Sequence, residues 1–168
     1  MSTENLYNQE GIAKIREIID KIDIGMLGSY PANSAFLHAV PMSRQEVDDA
    51  GNIWYLFSSD SESFFHIREN NQVSLLYSDP SSYTFLSING SAEISSDRQR
   101  IEKYWNKMME GWFDAGIDDP RIRVLKVAPE EAQYWDTKSN KLVTLWKAAV
   151  SAVTGVEMDK GRSGEITI

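Results

Sequence analysis

The sequence predicts an α+β fold in which a small, mostly antiparallel β-barrel carries helices on its outer side. Six or more segments rich in β-branched and aromatic residues are separated by short turns containing Gly, Pro, Asn, Asp or Ser. A run of isoleucines near the N-terminus instead follows helical spacing. Strands joined by short turns pair as antiparallel neighbours, and a small sheet of this kind can curl into a barrel that helices cover from outside.

The first element is an amphipathic helix, because isoleucines recur at helical spacing with Lys and Glu between them. These isoleucines are Ile12, Ile15, Ile18, Ile19 and Ile22. Strands are then predicted at residues 24–30, 35–42 and 53–58. The turn sequence DDAGN at 48–52 precedes the third strand, which is expected to pair back across that turn.

The remaining elements alternate between strands and short helices. Asp97 is expected to cap a helix that runs to about Met109, and a bulge or kink is expected near Asn89-Gly90 inside a long strand. The other predicted elements are a helix at 61–71, strands at 73–78, 83–94 and 122–128, a strand and then a helix through 129–150, a loose arm at 154–164 and an edge strand at 164–168.

Composition and charge exclude several classes of protein. The chain of 168 residues is 42% hydrophobic, which predicts a single globular domain over residues 1–168. Its net charge of −8 and its lack of a basic stripe argue against a nucleic-acid groove. No signal peptide is evident, and no apolar run approaches the ~20 residues of a membrane span. We therefore expect a soluble, cytoplasmic protein with no membrane partner.

The residue types that usually carry hydrolytic or metal chemistry are sparse. There is no Cys, and the two histidines, His38 and His66, do not stand in a metal-ligand spacing. No nucleophile elbow or phosphate-binding glycine loop is present. Most carboxylates lie in turns or at helix starts, where capping is the ordinary role. The sequence therefore predicts no metal site and identifies no catalytic residue.

A serine cluster between a strand and a helix allows two interpretations. Its members are Ser58, Ser59, Ser61 and Ser63. A helix start exposes free N–H groups and a partial positive charge, which together favour an anion such as phosphate. The alternative is ordinary helix capping by Asp60 or Ser61, and the negative charges of Asp60 and Glu62 favour it because they repel a phosphate. The role of Trp135 likewise allows three interpretations, namely core packing, an interface contact and stacking on a ring.

Several blocks of the chain resemble one known family in the same order. The blocks are VPMSRQEVDDAGNIWYLFSSDSES, NNQVSLLYSDPSSYTFLSINGSAEI, GWFDAGIDDPRIRVLKVAPEEAQYWD and the ending KAAVSAVTG with GRSGEITI. They resemble the general stress proteins of the pyridoxamine 5′-phosphate oxidase-like, FMN-binding split-barrel superfamily. The resemblance implies a six-stranded antiparallel split β-barrel with flanking helices, which forms a homodimer and binds flavin at the subunit interface.

The resemblance also implies a set of flavin-binding positions. One strand would run along the flavin ring, the next would line the ring and ribityl chain, two serines would face the phosphate, and a tryptophan would approach from the partner subunit. In that order these residues are Val40, Pro41 and Met42; Phe57 and Ser58; Ser61 and Ser63; and Trp135.

Two departures from the family pattern concern the cofactor. Val40 stands where the family has Arg before Pro-Met, and Ser63 stands where it has a phosphate-binding Lys. Losing two charge-assisted hydrogen bonds would weaken flavin by roughly two to four orders of magnitude if the effects added. Arg68 or a cation of the partner subunit is a candidate for compensation. We also expect Ser63 to lie near solvent, so that Ser63→Lys would restore affinity.

The sequence thus predicts an FMN-binding, general-stress-type protein, with flavin-dependent oxidoreduction as the activity that a bound flavin would supply. Oxidation of pyridoxamine phosphate itself is not expected, because the Arg-rich C-terminal elements of that enzyme are not evident. Two alternatives remain open. One is a non-enzymatic module for another small ligand, and the other is a structural stress protein with a degenerate flavin site.

Overall fold

A computed structural model describes residues 2–3, 6–136 and 162–167 of the chain. Three helices and ten strands occur in these residues. The helices are α1 (Asn8–Ile19), α2 (Glu62–Glu69) and α3 (Arg98–Tyr104), and two short 3-10 turns follow α3 at Lys107–Gly111 and Gly116–Asp118. The strands are β1 (Ser2–Thr3), β2 (Leu6–Tyr7), β3 (Ile24–Ser29), β4 (His38–Ser43), β5 (Glu46–Val47), β6 (Ile53–Ser58), β7 (Gln72–Asp79), β8 (Thr84–Ser95), β9 (Ile122–Asp136) and β10 (Arg162–Thr167).

The longer strands form one curled antiparallel sheet, which confirms the predicted split-barrel fold with flanking helices. The order is β10-β9-β8-β7-β3-β4, and β6 also pairs with β9. Within the described residues, seven strands have six residues or more, one more than the family resemblance implies. Strand β4 pairs only with β3, and β6 pairs with β9 and the short β5, so the barrel stays open between β4 and β6.

Strand β9 organises the sheet because its two halves have different neighbours. Along one edge it pairs with β8 over nearly its whole length. Along the other edge it pairs first with β6, up to Val127, and then with β10, from Glu131 onward. Pro129 lies between these two partners, where its missing N–H removes no ladder hydrogen bond on that edge.

The irregularity predicted near Asn89-Gly90 is present as a register shift, although the extra residue lies in the partner strand β9. Asn89 pairs with Glu131 while Gly90 pairs with Pro129, so β9 carries Glu130 as an extra residue. A Cβ on Gly90 would lie 2.2 Å from the carbonyl oxygen of Ala128, and only glycine fits that close approach.

Two buried clusters lie on opposite faces of the sheet. The main cluster fills the barrel with β-strand residues such as Tyr55, Phe57 and Leu125, and the isoleucines of α1 cover it. The second cluster packs Trp54, Leu56 and neighbouring β9 residues against α3 and the turns that follow it. Alternate residues of β6 therefore face different clusters, as the two-residue period of a strand requires.

Several element predictions need correction. Strand 53–58 pairs back across the 48–52 turn as predicted, but its partner there is the two-residue β5, because β4 pairs with β3. The helix capped by Asp97 ends at Tyr104 rather than near Met109. Strand β10 is not an edge strand, because β9 flanks it on one side and the short β1 and β2 on the other. The helix predicted at 141–150 and most of the arm at 154–164 fall outside the described residues.

None of the described helices has the length and apolar character needed to cross a bilayer.

Candidate functional site

The open side of the barrel joins β4, the end of β6 and the start of α2. The chain passes from β6 into α2 through a tight turn, in which the Ser61 amide donates to the Ser58 carbonyl over 3.1 Å. The Ser61 hydroxyl donates to the same carbonyl over 2.7 Å and accepts from the Phe64 amide over 3.2 Å. Ser61 is therefore the N-cap of α2, which confirms one of the two capping residues that the sequence proposed.

The first turn of α2 still has unused hydrogen-bond donors. The amides of Glu62 and Ser63 donate to no acceptor in the described chain. Ser63 is only 2% exposed, and its hydroxyl oxygen has no hydrogen-bond partner among the described residues. The expectation that Ser63 lies near solvent is therefore wrong, because α2 packs this side of its first turn against the barrel. Its predicted contact with a phosphate stays a prediction.

The two acidic residues of this turn are each paired with a cation or a histidine. Asp60 lies 3.7 Å from the Arg121 guanidinium, and Glu62 lies 3.4 Å from Nδ1 of His38. Arg121 is itself fixed by Asp119, and these hydrogen bonds from Arg121 hold the pKa of Asp119 well below its usual range. The Arg121 guanidinium therefore reduces the repulsion that Asp60 would exert on an anion.

The chain's two histidines, far apart in the sequence, meet beside the same turn. The rings of His38 on β4 and His66 on α2 lie 5.1 Å apart in an edge-to-face arrangement. Ser29 of β3, which is fully buried, places its hydroxyl 3.1 Å from Nδ1 of His66. Among the described residues no group of three potential metal ligands occurs. The histidines therefore connect β3, β4 and α2 through a polar cluster.

Strand β4 provides an open edge beside this turn. Val40 and Met42 point inward and pack partly buried against the barrel cluster, while Pro41 is exposed on the other face. Among the described strands β4 pairs only with β3, so no described strand occupies the backbone groups along its other edge. Val40 supplies packing to the barrel at the position where the family has Arg.

Phe57 and Ser58 lie where β6 meets α2, and their pairing with β9 places Arg123 nearby, a residue that the sequence did not single out. Phe57 is buried and its ring lies 6.0 Å from that of Phe64 on α2. Arg123 of β9 is the direct cross-strand partner of Phe57, and Ile122 is that of Ser58. The sequence signal for Arg123 was a charged residue in the otherwise apolar start of a strand. Only the register of β6 and β9 shows that it lies beside this turn.

Trp135 lies far from the other predicted residues within one chain. It is 36% exposed and pairs with Phe85 of β8 near the C-terminal end of β9. Ile122, the partner of Ser58, is at the other end of the same strand. At about 3.3 Å per residue these two ends are roughly 40 Å apart along the strand. One chain therefore brings β4, β6 and α2 together but does not bring Trp135 to them.

The family model described as pyridoxamine 5′-phosphate oxidase like matches residues 10–159. General stress protein 26 of Bacillus subtilis is 25% identical over 144 residues, which cover 82% of this chain and 98% of that protein. Protein bli-3 of Neurospora crassa is 24% identical over 129 residues, or 71% of this chain. The match spans only 62% of the length of bli-3.

Solved structures show the same fold. A putative general stress protein 26 from Jannaschia superposes with a TM-score of 0.75 at 24% identity, covering 93% of this chain and 97% of that one. The general stress FMN/FAD binding protein of Xanthomonas citri superposes with a TM-score of 0.64 at 26% identity, covering 76% and 89% of the two chains. The chain therefore belongs to the pyridoxamine 5′-phosphate oxidase-like family and is a homologue of general stress protein 26.

Proposed function

We propose that this protein is an FMN-binding protein of the general stress type. The observation that carries the proposal is the start of α2, where unpaired amide donors lie at the end of β6 and beside the open edge of β4. This arrangement fits a flavin mononucleotide, because amides at a helix start suit a phosphate and an open strand edge suits the polar rim of a flat ring. The relationship to the Xanthomonas citri FMN/FAD binding protein supports the same ligand.

Each predicted residue would have a distinct part in holding the cofactor. Val40, Pro41 and Met42 would lie along the ring, with Pro41 offering its carbonyl but no amide donor. Phe57 and Ser58 would border the ribityl chain, and the cap residue Ser61 would orient the amides toward the phosphate. A bound flavin would supply electron or hydride transfer, while the protein positions it. The described site offers hydrogen-bond donors and packing rather than an evident acid–base pair.

We further propose that the protein is a homodimer. A flavin that touches both Ser58 and Trp135 must lie between two copies, because Ser58 pairs with the first residue of β9 whereas Trp135 is near its last. One outer sheet face also carries exposed apolar side chains that a partner would cover. They are Ile24, Met26, Leu76, Phe85 and Trp135, each at least 36% exposed. Obligate dimer interfaces are hydrophobic and typically bury at least ~2,000 Å².

The direct test of flavin binding is a titration of purified protein with FMN, followed by flavin fluorescence and anisotropy. We expect saturable binding, and Trp135→Ala should weaken it. Trp112→Ala is the matched control, because Trp112 is 78% exposed, lies in the turns after α3 and is not among the predicted flavin-binding residues. The proposal would be contradicted if neither FMN nor riboflavin showed saturable binding.

Light scattering tests the dimer separately. Twice the 19.1 kDa chain mass is expected at micromolar concentration. Phe85→Glu should shift the population toward monomer, because it places a charge in the centre of the apolar face. A wild-type protein that stays monomeric across concentrations would contradict the interface and the contribution of Trp135 from a partner.

The second candidate function is a binding or structural protein whose flavin site has degenerated. One observation favours it, namely that Val40 packs against the barrel core and Ser63 is buried, so neither position provides the family's cation. This candidate predicts that protein purified without added flavin lacks the two visible absorption bands of an oxidised flavin and gains none on incubation with FMN.

A further inference from the structure

The described cations of this chain are nearly all paired with carboxylates. Within residues 6–136, nine of the twelve Lys and Arg side chains have a carboxylate oxygen within 4.0 Å. The other three are Arg68, Lys107 and Arg123. Two of these, Arg68 and Arg123, lie beside the same aromatic pair at the end of β6 and on α2, whereas Lys107 lies in the exposed turns after α3.

Arg123 is held in place without being neutralised. Its Nη1 donates to the carbonyls of Pro120 and Ile122, each over 2.7 Å. These carbonyls orient the side chain at the start of β9 but carry no formal charge. The remaining guanidinium donors have no acceptor in the described chain, although a guanidinium carries five N–H groups. Arg123 therefore presents a pre-positioned positive charge one strand away from Ser58.

Arg68 supplies a second charge on the other side of the aromatic pair. Its guanidinium lies over the Phe64 ring at 5.6 Å, and Phe64 in turn contacts Phe57, the partner of Arg123. Because Arg68 stands in the last turn of α2, its long side chain leans back toward the helix start. The two arginines thus adjoin the Phe57–Phe64 pair, next to the turn whose Glu62 and Ser63 amides are unpaired.

The acidic side chains of the turn do not compete for these arginines. Asp60 lies against Arg121, and Glu62 lies against His38. Arg123 and Arg68 consequently stay available in a chain whose net charge is −8, where an uncompensated cation has many carboxylates to pair with. Two such cations beside a helix start favour a dianionic phosphate over a neutral ligand.

We propose that Arg123, assisted by Arg68, binds the phosphate of the ligand at the start of α2 and so replaces the two cations that Val40 and Ser63 cannot supply. This inference rests on the proposed function for the identity of the ligand as FMN. It differs from restoring the family's charges in place, because Arg123 comes from β9 and Arg68 from the last turn of α2 rather than the first. Arg123 is thereby the residue that makes the site selective for a phosphorylated ligand.

The test compares FMN with riboflavin, which lacks the phosphate. Arg123→Gln should weaken FMN by roughly tenfold to a hundredfold, as expected for one charge-assisted contact, and leave riboflavin unchanged. Arg68→Gln should cause a smaller loss in the same direction. Lys107→Gln is the matched control, because it removes the third cation without a carboxylate partner and should change neither affinity.

A second measurement keeps the inference testable if flavin is not the ligand. Inorganic phosphate, compared with sodium chloride at equal ionic strength, should raise the melting temperature of the wild type more than that of Arg123→Gln. If phosphate stabilises the wild type more than Arg123→Gln but no flavin binds, the proposed function is overturned and the inference is supported. An unchanged preference for FMN over riboflavin in Arg123→Gln would overturn the inference alone. No stabilisation by phosphate and no flavin binding would overturn both.

Discussion

Ser63 provides a test of the site through the stability of the protein without ligand. Its side chain is 2% exposed, and its hydroxyl oxygen has no hydrogen-bond partner in the structure. A buried polar group without a partner costs about 1–3 kcal/mol relative to its hydrated state in the unfolded chain. Ser63→Ala removes that group, leaves a cavity no larger than the hydroxyl, and places the best helix former in the first turn of α2.

We therefore expect Ser63→Ala to raise the free energy of unfolding by about 1–2 kcal/mol. At about 2–4 °C per kcal/mol for a chain of this size, the melting temperature should rise by roughly 2–8 °C. Ser61→Ala, two residues earlier, is the matched comparison because Ser61 uses its hydroxyl fully. It accepts from the Phe64 amide and donates to the Ser58 carbonyl, so its loss should cost about 1 kcal/mol.

Urea denaturation followed by circular dichroism, without flavin and at neutral pH, measures both variants on the same scale. Opposite signs for the two serines are the expected result. A loss of stability in Ser63→Ala similar to that in Ser61→Ala would refute the reasoning, because it would mean that the Ser63 hydroxyl has a partner. If that hydroxyl also contributes to phosphate binding, Ser63→Ala should bind FMN more weakly while unfolding at a higher temperature.

Three further outcomes are expected. Ser63→Lys should lower the free energy of unfolding by at least about 2 kcal/mol, because it buries an ammonium group. Urea denaturation measures this free energy, and near-wild-type stability would show that the lysine side chain reaches solvent. The pKa of Asp119 is held low by Arg121, so its stabilising effect is present above the ordinary carboxyl pKa of about 3.9 and is lost as the pH falls below it. Asp119→Asn should therefore lose less stability than the wild type between neutral pH and pH of about 3, and equal losses would contradict the ion pair's contribution. The hydroxyls of Tyr55 and Tyr77 lie 2.6 Å apart in the barrel. Changing either tyrosine to Phe leaves the other buried hydroxyl without its partner, at a cost of about 1–3 kcal/mol, so a double-mutant cycle should show coupling. Additive losses of stability in the two single variants would refute this.

The predictions that succeeded rest on patterns contained within one element. The isoleucine spacing predicts α1, because a helix brings every third or fourth residue to one face. Ser61 and Asp97 predict helix starts because a cap bonds amides only two or three residues ahead. The bulge at Gly90 is likewise visible as a glycine inside a strand.

Predictions that required the pairing of distant segments were less complete. The stretch 129–136 begins with Pro129 and is predicted as an element separate from strand 122–128, yet both belong to β9. Pro129 is tolerated there because it lies between the stretches that pair with β6 and β10. A rule about proline in a strand cannot foresee that gap, since it depends on where two other strands end.

By itself, the sequence determined the types of element, their buried faces, the capped start of α2 and the family to which the chain belongs. Only the tertiary structure decided that Ser63 is buried and that His38 meets Glu62 and His66. It also decided that Arg123 stands beside Phe57. The physical reason is one of range. Periodicity and capping depend on neighbours within a turn or two, whereas register, burial and the pairing of charges depend on contacts between segments that the chain brings together only when the whole sheet forms.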